Sequence, residues 1–140
     1  MASRRDRALG LIERLHRVEI EARAVELGAL RDRMAELERQ SAETAQALAR
    51  DGRITSIETA PYVGDYIRDA RAQIGALDRA RAALEPQAEA LEAAMREGFR
   101  EMKTVATVAA RAKLRAARDR AAREAAETDE MVLLRWGRES

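Results

Sequence analysis

Between residues 63 and 116 one track of mostly small or apolar side chains returns every three or four positions: Val63, Ile67, Ala70, Ile74, Leu77, Arg81, Leu84, Ala88, Leu91, Met95, Gly98, Met102, Val105, Ala109, Ala112 and Ala116. An average step of about 3.5 residues keeps a single seam turned toward a partner helix, so this stretch predicts one strand of a coiled coil. A chain organised in this way acts by reach and contact, and no enzymatic activity is expected of it.

Composition points the same way. Of the 140 residues, 36% are charged and only 3% aromatic, and much of the 46% hydrophobic share is alanine. A compact globule needs bulkier side chains to fill its interior, whereas this Ala/Glu/Arg/Leu bias suits long helices. The expected fold is all-α: a single, elongated antiparallel coiled-coil domain over residues 1–140, with the second helix longer than the first.

Ser3 and Asp6 have the spacing of a capping box, so the first helix is predicted over about 3–51. It carries two apolar tracks offset by two residues. The first is Ala8, Leu11, Leu15, Val18, Ala22, Val25 and Ala29; the second is Leu27, Leu30, Met34, Leu37, Ser41, Thr44 and Leu48. A handover between them would be a stutter, which unwinds a supercoil locally without breaking the helix.

Asp51-Gly52 supplies a glycine for a left-handed helix end, and a turn is expected over about 52–60. Thr59 is a candidate cap and Pro61 suits the first turn of a second helix running over about 61–130, followed by a tail at 131–140. Pro86 is its internal breaker. Heptad counting puts it on the outer face, where it should kink the helix near 82–86 and spare the seam. At 1.5 Å per residue the helices would be roughly 70 Å and 100 Å long.

A short turn centred near Thr55 and Ser56 makes the helices antiparallel, with Leu48 opposite Val63, Met34 opposite Leu77 and Ala8 opposite Lys103. In that register the second helix has no intramolecular cover beyond about Ala109. The overhang nevertheless keeps an apolar stripe, which makes it an expected docking site.

Its charge is segregated. Over 103–123 seven bases (Lys103, Arg111, Lys113, Arg115, Arg118, Arg120, Arg123) stand against Asp119 alone, and over 124–130 the four charges are all acidic. Three readings are open: a solvated helix face, an electrostatic guide for an acidic protein, or a phosphate or anionic-lipid surface. The adjacent acidic block disfavours phosphate, and a net charge of +1 argues against bulk capture of nucleic acid. Trp136, in the run Met131-Val132-Leu133-Leu134-Arg135-Trp136, either packs back on Leu9, Leu11 or Ile12 or is buried by a partner or a membrane surface. Tyr66, on the shoulder of the seam, either covers it or anchors a partner.

Without cysteine there is no disulfide or thiolate site, and the lone His16 is expected to be a solvated position beside Glu13, Arg17 and Glu19. Carboxylate pairs such as Glu19/Glu21 and Asp129/Glu130 lie on helices too thin to desolvate them, so no catalytic residue, metal site or cofactor is expected. No apolar run is long enough to span a bilayer, and the N-terminus leads into a mixed-charge helix. A cytoplasmic location is the expectation.

The layout resembles the flagellar export protein FliJ family, small two-helix antiparallel coiled coils similar to the stalk subunit of rotary ATPases. The resemblance rests on the shorter first helix, the turn containing Gly52-Arg53-Ile54-Thr55-Ser56, the aromatic start Tyr62-Val63-Gly64-Asp65-Tyr66-Ile67, and the basic stretch leading to Asp129-Glu130. It spans nearly the whole chain. It implies a non-catalytic stalk or chaperone of the flagellar type III secretion apparatus, peripheral to the inner membrane at the basal body. The end holding both termini would enter the hexameric export ATPase, and early helix 2 would meet the membrane-embedded export gate. Carried onto this chain, the ring-docking set is Val105, Lys113, Leu114, Arg118, Met131, Leu133, Leu134 and Trp136, and the gate contacts are Tyr66 and Ala70. Export chaperones are further implied partners, with no residues assigned. The rival readings are a nucleic-acid or anionic-membrane binder using 103–123, and a generic homodimeric scaffold.

Overall fold

The computed structural model describes residues 3–53 and 57–139. They form an all-α helical hairpin of two helices, α1 (Arg4–Asp51) and the longer α2 (Ala60–Glu139). The expected turn residues Ile54, Thr55 and Ser56 lie outside the described residues.

The start of α1 is the predicted capping box. The Ser3 backbone N–H donates to Asp6 Oδ2 at 3.1 Å, and the Asp6 N–H donates to Ser3 Oγ at 3.1 Å. Two backbone donors that a helix leaves unsatisfied are thus covered reciprocally. At the other end Gly52 donates to the Leu48 carbonyl at 2.9 Å. No described residue has a positive φ, so the left-handed cap expected at Gly52 is absent. Glycine is required there for a different reason: a Cβ would stand 2.5 Å from the Leu48 carbonyl oxygen. α2 opens with Val63 N–H donating to the Thr59 carbonyl, with Pro61 in the first turn where its missing N–H leaves nothing unpaired. The helix then continues through the stretch expected to be a tail, 131–139. Met, Leu, Arg and Glu there are good helix formers, and no glycine interrupts them before Gly137. Pro86 is exposed on the outer face, as heptad counting places it, and α2 runs unbroken past it.

The molecule divides into two compact units, Glu19–Glu97 and Met1–Val18 with Gly98–Ser140. In the first, Ile20, Leu27, Met34 and Leu37 of α1 are buried with Ala70 and Ala88 of α2. Leu27 and Met34 close around the small Ala88, flanked by Leu30, Leu84, Leu91 and Met95, as bulky knobs filling a hole left by a short side chain. Burying each of Ile20, Leu27, Met34 and Leu37 removes an apolar side chain from water and contributes about 1.5–3 kcal/mol, and each alanine less.

In the second unit the layer is thinner and more polar. Leu9, Gly10, Glu13 and His16 of α1 are half-buried, and α2 supplies buried Gly98 with half-buried Met102, Val105, Val108, Ala109 and Ala112. His16 is therefore a seam residue, with Nδ1 3.3 Å from Glu101 Oε2, and is not the solvated position expected.

The α2 track is the one read from the sequence as far as Ala112; Ala116 is exposed. On α1 the stutter is absent. The less exposed positions run Asp6, Leu9, Glu13, His16, then Ile20, Arg23, Leu27, Leu30, Met34, Leu37, Ser41, Thr44 and Leu48, one alternation of threes and fours with no change of phase. One partner helix covers one face, so the track of Ala8, Leu11, Leu15, Val18, Ala22, Val25 and Ala29 is left outside, every member exposed.

The register also differs from the expected one, by about one heptad. Ser41 Oγ donates to Asp78 Oδ1 at 2.8 Å, Arg31 pairs with Glu92, and Thr44 and Ala47 lie by Tyr66, Ala70 and Gln73. In the unit holding the termini, Asp6 feels the charge of Lys113, which the expected register set beyond the start of α1. A heptad pattern looks alike after a slip of seven residues, so these polar pairs select the register.

Candidate docking surface

Because α1 begins level with Lys113, the part of α2 without cover starts later than expected. Every residue from 113 to 139 is exposed. Within it, Met131, Val132, Leu133, Leu134 and Trp136 are large apolar side chains in water, Trp136 at 74% exposure. Trp136 does not pack back on Leu9, Leu11 or Ile12. At 100° per residue these five side chains point all around the helix, so they form a collar where a stripe was expected. A helix end that is apolar all round suits an enclosing socket better than a flat surface.

The rest of the predicted docking set is distributed unevenly. Leu114 and Arg118 are exposed, as is Lys113, but Val105 is half-buried in the seam and largely committed to the hairpin. Arg111, Arg115 and Arg118 fall at spacings of four and three and so line one face of α2. Among the described residues none of the three is in an ion pair. Three like charges in one row repel, and an acidic surface brought against them would relieve that repulsion.

Where the first turn of α1 meets α2, an open cleft of about 1000 Å³ is lined by Ser3, Arg5 and Asp6 on one side and by Arg111, Lys113, Arg115, Asp119 and Arg120 among others on the opposite side. Asp6 is held below the ordinary carboxylate range, first by the Ser3 backbone N–H, then by the Ser3 hydroxyl, with Lys113 and Arg5 adding attraction. The carboxylate that caps α1 is thus kept ionised within a basic rim, which offsets part of that rim's charge.

The two predicted gate contacts separate. Tyr66 is 37% exposed on the seam shoulder, beside a shallow cleft of about 320 Å³ shared with Glu43, Thr44 and Ala47. Ala70 is only 6% exposed and sits at the base of that cleft. The one-heptad register shift brings Ala47 and Thr44 beside Ala70, which leaves little of its surface exposed. Tyr62, at the start of α2, exposes more surface than either.

Among the described residues, the cross-helix polar pairs that sequence reasoning missed include Arg31 with Glu92, Glu38 with Arg81, Ser41 with Asp78, and His16 with Glu101. All depend on register, and no local motif signals them. No helix among the described residues is long and apolar enough to cross a membrane. Comparison with protein families, curated proteins and solved structures returns no match for this chain.

Proposed function

We propose that the chain is a non-catalytic stalk of a flagellar type III protein export apparatus, coupling an export ATPase ring to the membrane export gate, as its likeness to the FliJ family implies. The observation that supports this reading is the bare end of α2, where an exposed basic row gives way to a short acidic stretch and then to five large apolar side chains spread around the helix. A ring pore offers that end an enclosing wall, and acidic groups at its mouth would complement Arg111, Arg115 and Arg118. Tyr66 and Tyr62 are the exposed aromatics at the start of α2 and are available there to a gate. In this reading the protein works in the cytoplasm, peripheral to the inner membrane at the basal body, and escorts export chaperones.

A pull-down with the hexameric export ATPase tests the proposal. Full-length protein should be retained, and a chain truncated after Ala116 should be lost from the ring while keeping its hairpin, since the buried seam ends before that point. Equal retention of both forms would remove the docking end from the argument.

The unpaired Arg111, Arg115 and Arg118 also support a second reading, binding to nucleic acid or anionic lipid. Phosphate contacts weaken steeply between about 50 and 200 mM salt, by orders of magnitude when several phosphates are engaged, whereas docking of the apolar collar responds little. Salt dependence of the captured complex therefore separates the two.

A further inference from the structure

α1 has heptad-spaced faces on two opposite sides, the outer one apolar throughout and the seam apolar chiefly from Ile20 onward. One is the seam against α2; the other, two residues out of phase and so about 200° around the helix, is the track from Ala8 through Leu11, Leu15, Val18 and Ala22 to Val25 and Ala29. These positions alternate by three and four over three heptads, as a coiled-coil seam does, yet Leu15 is 62% and Val25 74% exposed. The α2 docking end does not use them. A helix with heptad faces on both sides has the pattern of a central helix, one that packs a second helix on the face its hairpin partner leaves bare.

The charges beside this track reverse along its length. Its shoulders carry Arg5, Arg7 and Arg14 in the first half and Glu19, Glu21 and Glu26 in the second. We infer that the occupant is a second copy of this chain, packed antiparallel through the outer face of α1 about a two-fold axis near His16 and Arg17. In that arrangement Leu15 meets Val18 of the second copy, Leu11 meets Ala22, and Ala8 meets Val25, so each layer joins a larger side chain to a smaller one. On the shoulders Arg14 faces Glu21 of the second copy and Arg5 faces Glu26, and the two-fold doubles both pairs. Arg5, Arg14, Glu21 and Glu26 are exposed, and none is in an ion pair among the described residues. Parallel pairing fits worse: Ala8 and Ala22 would stack on their own copies, leaving thin layers, and Glu21 would face Glu26 across the interface.

Sedimentation equilibrium of the full-length chain at several concentrations tests the inference. A monomer–dimer equilibrium is expected. Arg14→Glu should weaken dimerisation roughly tenfold by turning two attractions into two repulsions, Glu21→Arg should do the same, and the two combined should restore it. Leu15→Glu should abolish the dimer while circular dichroism shows an unchanged helix signal, since Leu15 touches no part of the hairpin core. Truncation after Ala116 should leave dimerisation intact, which keeps this result independent of ring docking. A monomer at every concentration overturns the inference, as does a dimer that survives Leu15→Glu. Additive losses from the two charge reversals would overturn the antiparallel arrangement.

Discussion

Arg81 Nε lies 3.8 Å from Glu38 Oε2, near enough for attraction and too far for a hydrogen bond, and that nitrogen is buried without a hydrogen-bond partner. Arg81 occupies a seam position that the heptad reserves for apolar side chains. A polar residue at one such position costs stability and opposes slipped registers, because sliding α2 would bury its charge against a layer with no Glu38. Arg81→Leu should therefore raise the stability of the hairpin by about 1 kcal/mol, an increase of about 4 °C in the melting midpoint. Thermal unfolding followed by circular dichroism measures this. A lower midpoint would mean that the Arg81–Glu38 attraction outweighs the desolvation.

Glu36 is held well below the usual carboxylate range, at about 2, first by its hydrogen bonds from Arg39 and then by Gln40 Nε2 at 3.1 Å. Arg39 is in turn raised above its ordinary value, chiefly by Glu36, and also pairs with Glu43. A carboxylate whose folded value is depressed adds stability above its unfolded value of 4.5 and loses it as the pH falls through about 2. Glu36→Gln should therefore be less stable than the parent at neutral pH, with the gap closing in that acidic window. Denaturant midpoints at neutral pH and at the acid end check it. A gap of constant size would show that the charge of Glu36 is not what Arg39 stabilises.

The layer formed by Leu27, Met34 and Ala88 predicts a contrast between neighbours on one helix. Leu27→Ala empties a buried knob and should destabilise the chain by about 2–3 kcal/mol, because the surrounding Leu84, Leu91 and Met95 fill the space only in part. Val25→Ala, two residues away on the exposed outer track, should change the stability of the dilute monomer by less than about 0.5 kcal/mol. Urea unfolding of the two variants at low concentration makes the comparison. Equal effects would mean that the faces of α1 are assigned the wrong way round.

Those faces are where sequence reading reached its limit. The α2 seam was legible because one unbroken track of sixteen positions, all but Ala116 of them in the seam, admits no alternative phase, and the Ser3–Asp6 box was legible because both partners lie within one turn. On α1 the outer track holds Leu11, Leu15, Val18 and Val25, while the true seam at the same level mixes Leu9 and Ile20 with Asp6, Glu13, His16 and Arg23. Apolar content alone therefore points to the wrong side. On the opposite helix Glu101 meets His16 directly, and Lys113 attracts Asp6, so the polar side is the one turned toward α2. Register failed for a related reason: apolar layers tolerate a one-heptad slip, and Ser41–Asp78 and Arg31–Glu92 decide between slips only once the helices are side by side. The exposed end of α2 was readable in kind from length asymmetry, but its onset moved with the register and its apolar residues proved to encircle the helix.

Trp136 gives that end a built-in reporter, being the sole tryptophan and 74% exposed. In the isolated protein its emission should resemble that of an indole in water and should be quenched fully by acrylamide. Entry of the collar into an apolar socket would desolvate the ring, shifting emission to the blue and cutting quencher access, while leaving far-ultraviolet circular dichroism unchanged because 131–139 are already helical. Leu133→Arg with Leu134→Arg should block the shift without altering the melting midpoint, since neither side chain packs on the hairpin. A blue-shifted, protected tryptophan in the free monomer would place Trp136 against the protein itself and withdraw the collar as a docking surface.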